Sequence, residues 1–418
     1  MTTVTAERKL FHGWVVVAAA FAVTFIGFGC AYTFSSFVQP LQAEFGASRG
    51  SVALVFSIAG FLYFALGAAS GPLADRWGTK RLAVAGMLLV GAGFALASHA
   101  NTIAAVYAFY GLGIGLGVGT AFVPTVGVVQ RWFVRRRAFA SGLAVSGIGV
   151  GTLVMPPLAT WLIARFGWRE TYLLLGIVAA AIGTGMALLL EDDPRRRGLL
   201  PDGDAPDSDQ ASAPPTSGVP LARAWRSPRF IGLYAACLAS SLGVFVPFVH
   251  LVPFAIDHHV SAARAVLLFG AIGAGSTAGR VLLGNVADRI GRDTFLVVVY
   301  AGMAVTLAIW AAAASWWMLM LFALSFGLFY GGWVAVLPAI VADHFGGRHV
   351  GAIIGALSTS VAIGTLVGPS AAGFAFDKTH SYVLPVALSA LGNAAAGAIA
   401  FATNRLGRAP NRAFWQPN

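Results

Sequence analysis

Long apolar runs, each close to the length that crosses a bilayer, constrain this chain more than any other feature. A bilayer core roughly 30 Å thick needs about 20 helical residues. Twelve runs of about that length, nearly free of charge, fall at about 13–41, 51–72, 82–98, 102–129, 139–163, 171–190, 230–256, 265–286, 294–314, 316–341, 350–375 and 381–402. The pattern predicts an all-α membrane protein with twelve transmembrane helices.

The scarcity of charge supports this fold class. Only 10% of the residues are charged, whereas a soluble domain carries roughly 25%. The two cysteines, Cys30 and Cys237, lie far apart in apolar runs, so a disulfide scaffold has no support. Transmembrane strands are disfavoured because the runs show no alternating pattern. The first run is too long for a signal peptide, and we expect a retained span.

Basic residues are distributed unevenly between the two sides of the predicted membrane. With the N-terminus inside, 21 of the 27 Lys and Arg residues fall in inner segments and five in outer ones. This asymmetry follows the positive-inside rule, so the net charge of +11 indicates topology and not a nucleic-acid partner. We expect a multi-pass protein of the cell inner (plasma) membrane with both termini cytoplasmic.

The longest non-apolar stretch, residues 191–229, is rich in Pro, Ser, Asp and Gly. Such a composition predicts a flexible cytoplasmic linker, with partner binding as the alternative. It divides the chain into an N-terminal six-helix bundle, residues 1–190, and a C-terminal six-helix bundle, residues 230–418.

The two halves share a repeated loop. GPLADRWGTKR follows the second run and GNVADRIGR follows the eighth, so that Asp75 and Asp288 are 213 positions apart. A glycine three residues after each aspartate can supply a sharp bend. The carboxylates can face a helix N-terminus or the arginines of their own loop.

Both copies resemble the loop signature of the major facilitator superfamily, and the resemblance extends over nearly the whole chain. It implies two pseudo-symmetric six-helix bundles that rock around a central site. It also implies that Asp75, Arg76 and Arg81, with Asp288 and Arg289 in the second copy, hold a cytoplasmic gate. A merely structural turn is the alternative reading.

Further segments resemble one branch of this superfamily. In chain order they are HGWVVV, RWFVRRRAFASGLA, FGWRETY, YGGW and ADHFG. Together they are similar to the monocarboxylate transporter family and its bacterial oxalate–formate antiporter relatives.

Arg280 is the one permanent charge well inside a predicted span. All sixteen acidic residues lie at span ends or in loops, so no carboxylate within a span can pair with it. Its depth is roughly 12 Å above the inner boundary, where arginine costs about 2.5–3.5 kcal/mol on insertion scales. Because a guanidinium fork matches a carboxylate, we expect Arg280 to anchor an anionic substrate. Bracing of helix-end carbonyls is the alternative.

The family resemblance implies the same role, since monocarboxylate transporters carry an arginine in helix eight as the carboxylate anchor. The chain departs from the family at Ser276, where many animal members have an aspartate, and near Tyr32, where they carry a lysine. The helix-eleven lysine of oxalate–formate antiporters is missing from 350–375. A single positive charge favours a monocarboxylate over a dicarboxylate, and Ser276 leaves no aspartate at that position for coupling by an Asp–Arg switch. Ser276 and Tyr32 are retained as substrate-binding candidates.

His250 is the second titratable group within the spans, between Pro247 and Pro253. Histidine can change charge near neutral pH, so His250 is the candidate proton carrier. The prolines predict a broken helix with free carbonyls, and a hydrogen bond from His250 to one of them is the alternative. We place His250 in the outer half and predict no direct contact with Arg280.

Two aromatic residues complete the candidate site. Phe122 lies where antiporter relatives often have tyrosine, and Tyr330 belongs to YGGW. A buried tyrosine hydroxyl needs a partner, although core packing is the alternative for any aromatic here. Tyr63 and Trp333 are weaker lining candidates.

These observations favour a secondary active transporter over an enzyme. We expect alternating access that moves a small monocarboxylate, such as lactate, pyruvate or formate, with a coupled proton. The protein is expected to be monomeric and to need neither cofactor nor metal. The alternatives are an exchanger of other organic anions, a drug efflux pump, and a non-transporting receptor with a transporter fold.

Overall fold

The computed structural model describes residues 11–133, 136–203, 218–313, 315–346 and 349–408. Within these ranges, twelve helices are long and apolar enough to span a membrane. In chain order, α1 to α12 are Gly13–Phe45, Arg49–Ala74, Thr79–Ser98, Ile103–Trp132, Phe139–Phe166, Trp168–Ala187, Pro228–Asp257, Ala262–Gly284, Arg292–Ala311, Trp316–Phe345, Val350–Thr379 and Val383–Arg405. The predicted all-α, twelve-span fold is confirmed.

The connections between successive spans alternate between two sides of the fold. We call the side that carries the segment between α6 and α7 the linker side, and the opposite side the far side. On the linker side, the N–H of Val219 donates to the carbonyl of Phe345 at 2.8 Å, so this end of the segment is bound to the end of α10. The middle of the predicted flexible linker, residues 204–217, lies outside the described residues.

The repeated loop forms the same turn in both halves. Gly78 ends the helix that contains α2 with φ 88° and ψ 142°, and Gly291 ends the helix that contains α8 with φ 87° and ψ 130°. A side chain is strained at such positive φ values, so only glycine turns there without cost. The bends predicted from the two motifs are therefore present.

The first helix of each half is interrupted at a similar depth. α1 breaks at Thr33, whose hydroxyl donates to the carbonyl of Cys30, and α7 breaks at Phe245. The break in α7 was expected between two prolines, but it comes just before Pro247, and Pro253 lies inside the second segment. Proline lacks an N–H and its ring collides with the carbonyl four residues back, which explains why the preceding turn breaks.

The halves meet along α2 and α11 over most of their length. At the far end, a Cβ on Gly373 would lie 2.7 Å from the Cα of Gly50. Toward the linker side, a Cβ on Gly355 would lie 2.8 Å from the Cα of Ala68. Glycine allows these backbones to approach closely.

The second contact between the halves joins α5 and α8 near mid-span. A Cβ on Gly149 would lie 2.0 Å from the hydroxyl oxygen of Thr277. Two turns nearer to the linker side, a Cβ on Gly142 or Gly284 would meet no described residue within 4 Å. These two helices therefore separate toward the linker side.

Candidate substrate site

Close backbone packing between α8 and α10 fixes the position of Arg280. A Cβ on Gly279 would lie 2.0 Å from the carbonyl oxygen of Leu328, and one on Gly331 would lie 2.1 Å from that of Ser276. Small residues permit such contact between membrane helices. As a result, Arg280 and Tyr330 are held beside each other by two helices that touch through their backbones.

We expect Gly279→Ala to destabilise the protein, because the added methyl group collides with a carbonyl that cannot move independently. Overpacking of this kind costs about 1–3 kcal/mol. Gly284→Ala on the same helix is the matched control, since its Cβ meets open space. Thermal unfolding in detergent should show a lower Tm for Gly279→Ala only, and equal values for the two variants would contradict the packing argument.

The guanidinium of Arg280 is buried without a complete set of partners. Its Nε and Nη1 atoms have no hydrogen-bond acceptor among the described residues, so neither braces a carbonyl. The groups that interact with it electrostatically are the hydroxyls of Tyr330 and Tyr32, and no described carboxylate is among them. Leaving a charged donor unpaired is costly, so the arrangement suits an anion that arrives from outside the chain.

Other polar atoms around this guanidinium are also unsatisfied. The hydroxyl of Ser276, one turn from Arg280 on α8, is buried without a partner. The hydroxyl of Tyr63 is buried next to that of Tyr32 without a well-formed hydrogen bond. Tyr63 was only a weaker lining candidate from the sequence, because nothing in its context separates it from an ordinary packing residue.

Aromatic rings form a continuous layer between the two halves beside Arg280. Phe248 of α7 links Tyr32 and Tyr330, with ring centroids 5.1 and 5.2 Å away. Phe122 contacts Phe28 edge-to-face at 4.9 Å, and Phe28 in turn lies 5.8 Å from Tyr32. The structure thus brings Tyr32 and Tyr330 to the charge and connects Phe122 to Tyr32 through the ring of Phe28.

His250 is buried in a different hydrogen-bond network. Its Nδ1 lies 3.1 Å from the Tyr382 hydroxyl and its Nε2 2.8 Å from the carbonyl of Pro369. The carbonyl belongs to α11, and not to a break in α7. Burial raises the pKa of Tyr382 to about 12, so its hydroxyl keeps its proton. Arg49 donates to the same oxygen at 2.9 Å, so the Tyr382 hydroxyl is free to donate its own proton in a hydrogen bond to Nδ1. Nδ1 is then the unprotonated nitrogen of the ring, and Nε2 carries the proton that it donates to the Pro369 carbonyl.

A charged cluster joins the two halves on the far side. The Arg49 guanidinium donates to both carboxylate oxygens of Asp257 at 2.5 and 2.7 Å. The carboxylate of Asp377 accepts from the backbone N–H groups of Arg49 and Gly50, each at 2.9 Å, at the N-terminus of α2. We call Arg49, Asp257, Asp377 and Tyr382 the far-side latch. It holds α2 of the first half against α7 and α11 of the second.

Sequence reasoning missed this latch. Arg49 and Asp257 each lie at the far end of a span, where a charge reads as a boundary marker. The opposite charges of the two residues were the only hint of an ion pair in the sequence. A single sequence does not reveal which distant helices pack against each other.

The second copy of the repeated motif forms ion pairs within its own half. Arg292 donates to Asp288 at 3.1 Å and to both oxygens of Asp343 at 2.8 and 2.9 Å. Arg289 is exposed. These contacts connect the linker-side ends of α8, α9 and α10.

The first copy of the motif borders a cavity on the linker side. Arg76 and Arg81 line it, and the side chain of Asp75 lies outside what the structure describes. The predicted gating role of these residues stays a prediction.

Twelve spans in two six-helix halves, with a buried cation where the halves meet, define a polytopic transporter fold. The family model described as Major Facilitator Superfamily matches residues 19–312 and 245–416. The chain belongs to this superfamily, in the group of monocarboxylate transporter relatives.

The curated relatives support that grouping. Human monocarboxylate transporter 11 is 29% identical over 90% of this chain and 80% of its own length. Rat monocarboxylate transporter 12 is 28% identical over 88% and 81%, and rat monocarboxylate transporter 3 is 30% identical over 88% and 75%. A crystal structure of a D-xylose–proton symporter shares the fold, with a TM-score of 0.73 at 15% identity over 93% of this chain and 97% of its own.

Proposed function

We propose that this protein is a secondary active transporter that moves a small monocarboxylate, of the lactate, pyruvate or formate kind, together with a proton. The observation that carries the proposal is the buried Arg280 guanidinium, which has unpaired donors and no carboxylate among its described neighbours. A substrate carboxylate would accept from the guanidinium fork. We propose that the hydroxyls of Tyr32 and Tyr330, which interact with Arg280, and the unpartnered hydroxyl of Ser276 supply further donors.

The size of the substrate's charge follows from the charge of the site. Arg280 is the one cation that the described residues place there, so one negative charge is balanced and a second one is not. Placing an unbalanced charge in a low-dielectric site is expensive. The site therefore favours a monocarboxylate over oxalate or another dicarboxylate, in keeping with the names of the relatives.

His250 is the proposed proton carrier, and its position suggests how a proton acts on the far-side latch. In the neutral ring, Nδ1 accepts from Tyr382 and Nε2 donates to Pro369. A proton on Nδ1 turns this acceptor into a donor and faces it toward an oxygen that already accepts from Arg49. The new positive charge also repels the Arg49 guanidinium. Protonation of His250 therefore weakens the latch and favours opening of the far side.

The orientation follows from the basic residues. Most Lys and Arg residues lie in linker-side segments, so we propose that the linker side faces the cytoplasm of the cell inner membrane. With the far-side latch formed and α5 and α8 separated toward the linker side, the structure corresponds to a conformation closed to the outside.

The direct test is uptake of labelled lactate by liposomes containing the purified protein, with and without an inward proton gradient. We expect uptake that rises with the gradient and is reduced by excess pyruvate or formate but not by oxalate. Exclusive activity on neutral or cationic solutes would overturn the proposal in favour of a drug efflux role. Gradient-independent exchange of anions would favour the antiporter alternative, and no flux of any solute would favour a receptor.

His250→Gln should separate transport from its proton dependence. Glutamine can still donate to the Pro369 carbonyl but cannot take up a proton, so we expect lactate uptake that no longer responds to the gradient. His258→Gln is the control, since His258 is exposed on the far side and, among the described residues, its ring hydrogen-bonds to the carbonyl of Phe254. Full gradient stimulation in His250→Gln would remove His250 as the proton carrier.

A further inference from the structure

A cavity of about 720 Å³ opens on the linker side of the first half. Four spans end around it, because Ala74, Gly78, Arg131 and Leu190 all contribute to its wall. This volume is large enough for a phosphate group and the polar atoms attached to it. The cavity is remote from Arg280 and has no part in the proposed transport site.

Five basic side chains line this cavity without a carboxylate partner among the described residues. They are Arg76, Lys80, Arg81, Arg195 and Arg196. Like charges gathered around one cavity repel each other unless an anion joins them. The cavity wall is thus a strong electrostatic attractor for a multivalent anion.

The acidic residues of the cavity wall are already engaged. Asp192 accepts from the backbone N–H of Thr79 at 2.8 Å, and Asp193 accepts from the backbone N–H of Arg195 at 2.9 Å. Glu191 pairs with Arg197. These contacts hold the three carboxylates against the loop, and the six basic side chains of the wall (the five above and Arg131) outnumber them by three.

The rim of the cavity lies at the depth of lipid headgroups. Trp77 lines it with 60% of its surface exposed, immediately beyond the end of α2. Tryptophan favours the membrane–water interface. A phosphate held by the five cations would therefore lie at the level where lipid phosphates lie.

We propose that this basic cavity binds a phosphate-bearing anion, and that the membrane supplies it as the headgroup of an anionic phospholipid. Basic pockets between spans on the cytoplasmic side suit such headgroups. A soluble polyphosphate shares the same chemistry, and the experiment below distinguishes the two sources.

The test uses the full chain in neutral detergent, titrated with short-chain phosphatidylglycerol, short-chain phosphatidylcholine or inorganic pyrophosphate. Binding is followed by tryptophan fluorescence and checked by native mass spectrometry. The variant is Arg195→Gln with Arg196→Gln, which removes two cavity cations. The matched control is Arg223→Gln with Arg226→Gln, two exposed linker-side arginines that do not line the cavity.

We expect phosphatidylglycerol to bind the unmodified protein, and phosphatidylcholine to bind much more weakly. The cavity variant should lose affinity by a factor on the order of tenfold, and the control variant should not. Equal weakening in both variants would show a diffuse basic surface and overturn the site. Binding of pyrophosphate but not phosphatidylglycerol would keep the phosphate site and overturn the lipid source. Binding of neither would overturn the proposal.

Discussion

Arg280→Ala is expected to abolish saturable lactate uptake. The guanidinium is the one cation that the described residues place at the site, and two of its donor atoms have no other partner. Truncating one member of a buried charged pair costs about 2–5 kcal/mol, which corresponds to at least thirtyfold in apparent affinity. Arg280→Lys should also fail to restore normal uptake, because an ammonium group keeps the charge but not the planar fork.

The control is Arg264→Ala, which removes an exposed arginine from the far end of the same helix. This variant lowers the net charge of the protein by the same amount but leaves the charge of the substrate site unchanged. We therefore expect uptake close to that of the unmodified protein. The initial rate of uptake as a function of lactate concentration, at fixed proton gradient, is the measurement. Undiminished uptake by Arg280→Ala at low lactate concentration would show that the anchor lies elsewhere.

The second large effect is expected from Arg49→Gln, which removes the centre of the far-side latch. The substitution leaves Asp257 without its ion-pair partner and removes the donor to Tyr382. Arg49 is mostly buried but Asp257 is about a third exposed, so the loss lies between about 1 kcal/mol for an exposed pair and about 2–5 kcal/mol for a buried one. A loss of about 2 kcal/mol raises the minor state of a 99:1 ratio to roughly a quarter. We therefore expect a large population that is open on the far side.

Spin labels can measure this shift directly. Ala43→Cys and Ala263→Cys place one label on each half at exposed far-side positions, with Cys30 and Cys237 replaced by alanine. Double electron–electron resonance should show a new population of longer distances in Arg49→Gln. Arg165→Gln, which removes an exposed arginine on the same side, is the control. An unchanged distance distribution would mean that the latch does not hold the far side closed.

Most of the fold was predictable because its signal is local. A helix in lipid must satisfy its own backbone hydrogen bonds, so each apolar run predicts one span with no knowledge of the others. The span ends were less predictable. α10 continues to Phe345, whereas the apolar run ends at about 341, because a helix continues into the headgroup region wherever polar residues tolerate it.

The site was predictable only in part, and for a related reason. Arg280 could be identified from the sequence alone, because a charged residue inside an apolar run stands out without knowledge of the fold. Phe248 could not, because it is one aromatic residue among many, and its role depends on which helix lies opposite. The same limitation hid the ion pair between Arg49 and Asp257, whose positions are 208 residues apart.

The backbone contact between α8 and α10 bears on which half would hold the proposed substrate. Because Gly279 and Gly331 hold these helices together, Arg280 and Tyr330 move as one unit. Tyr32 belongs to the other half and must separate from that unit whenever the halves rock apart. A bound carboxylate would then stay attached to the second half throughout the cycle, and movement of the first half would cover or expose it.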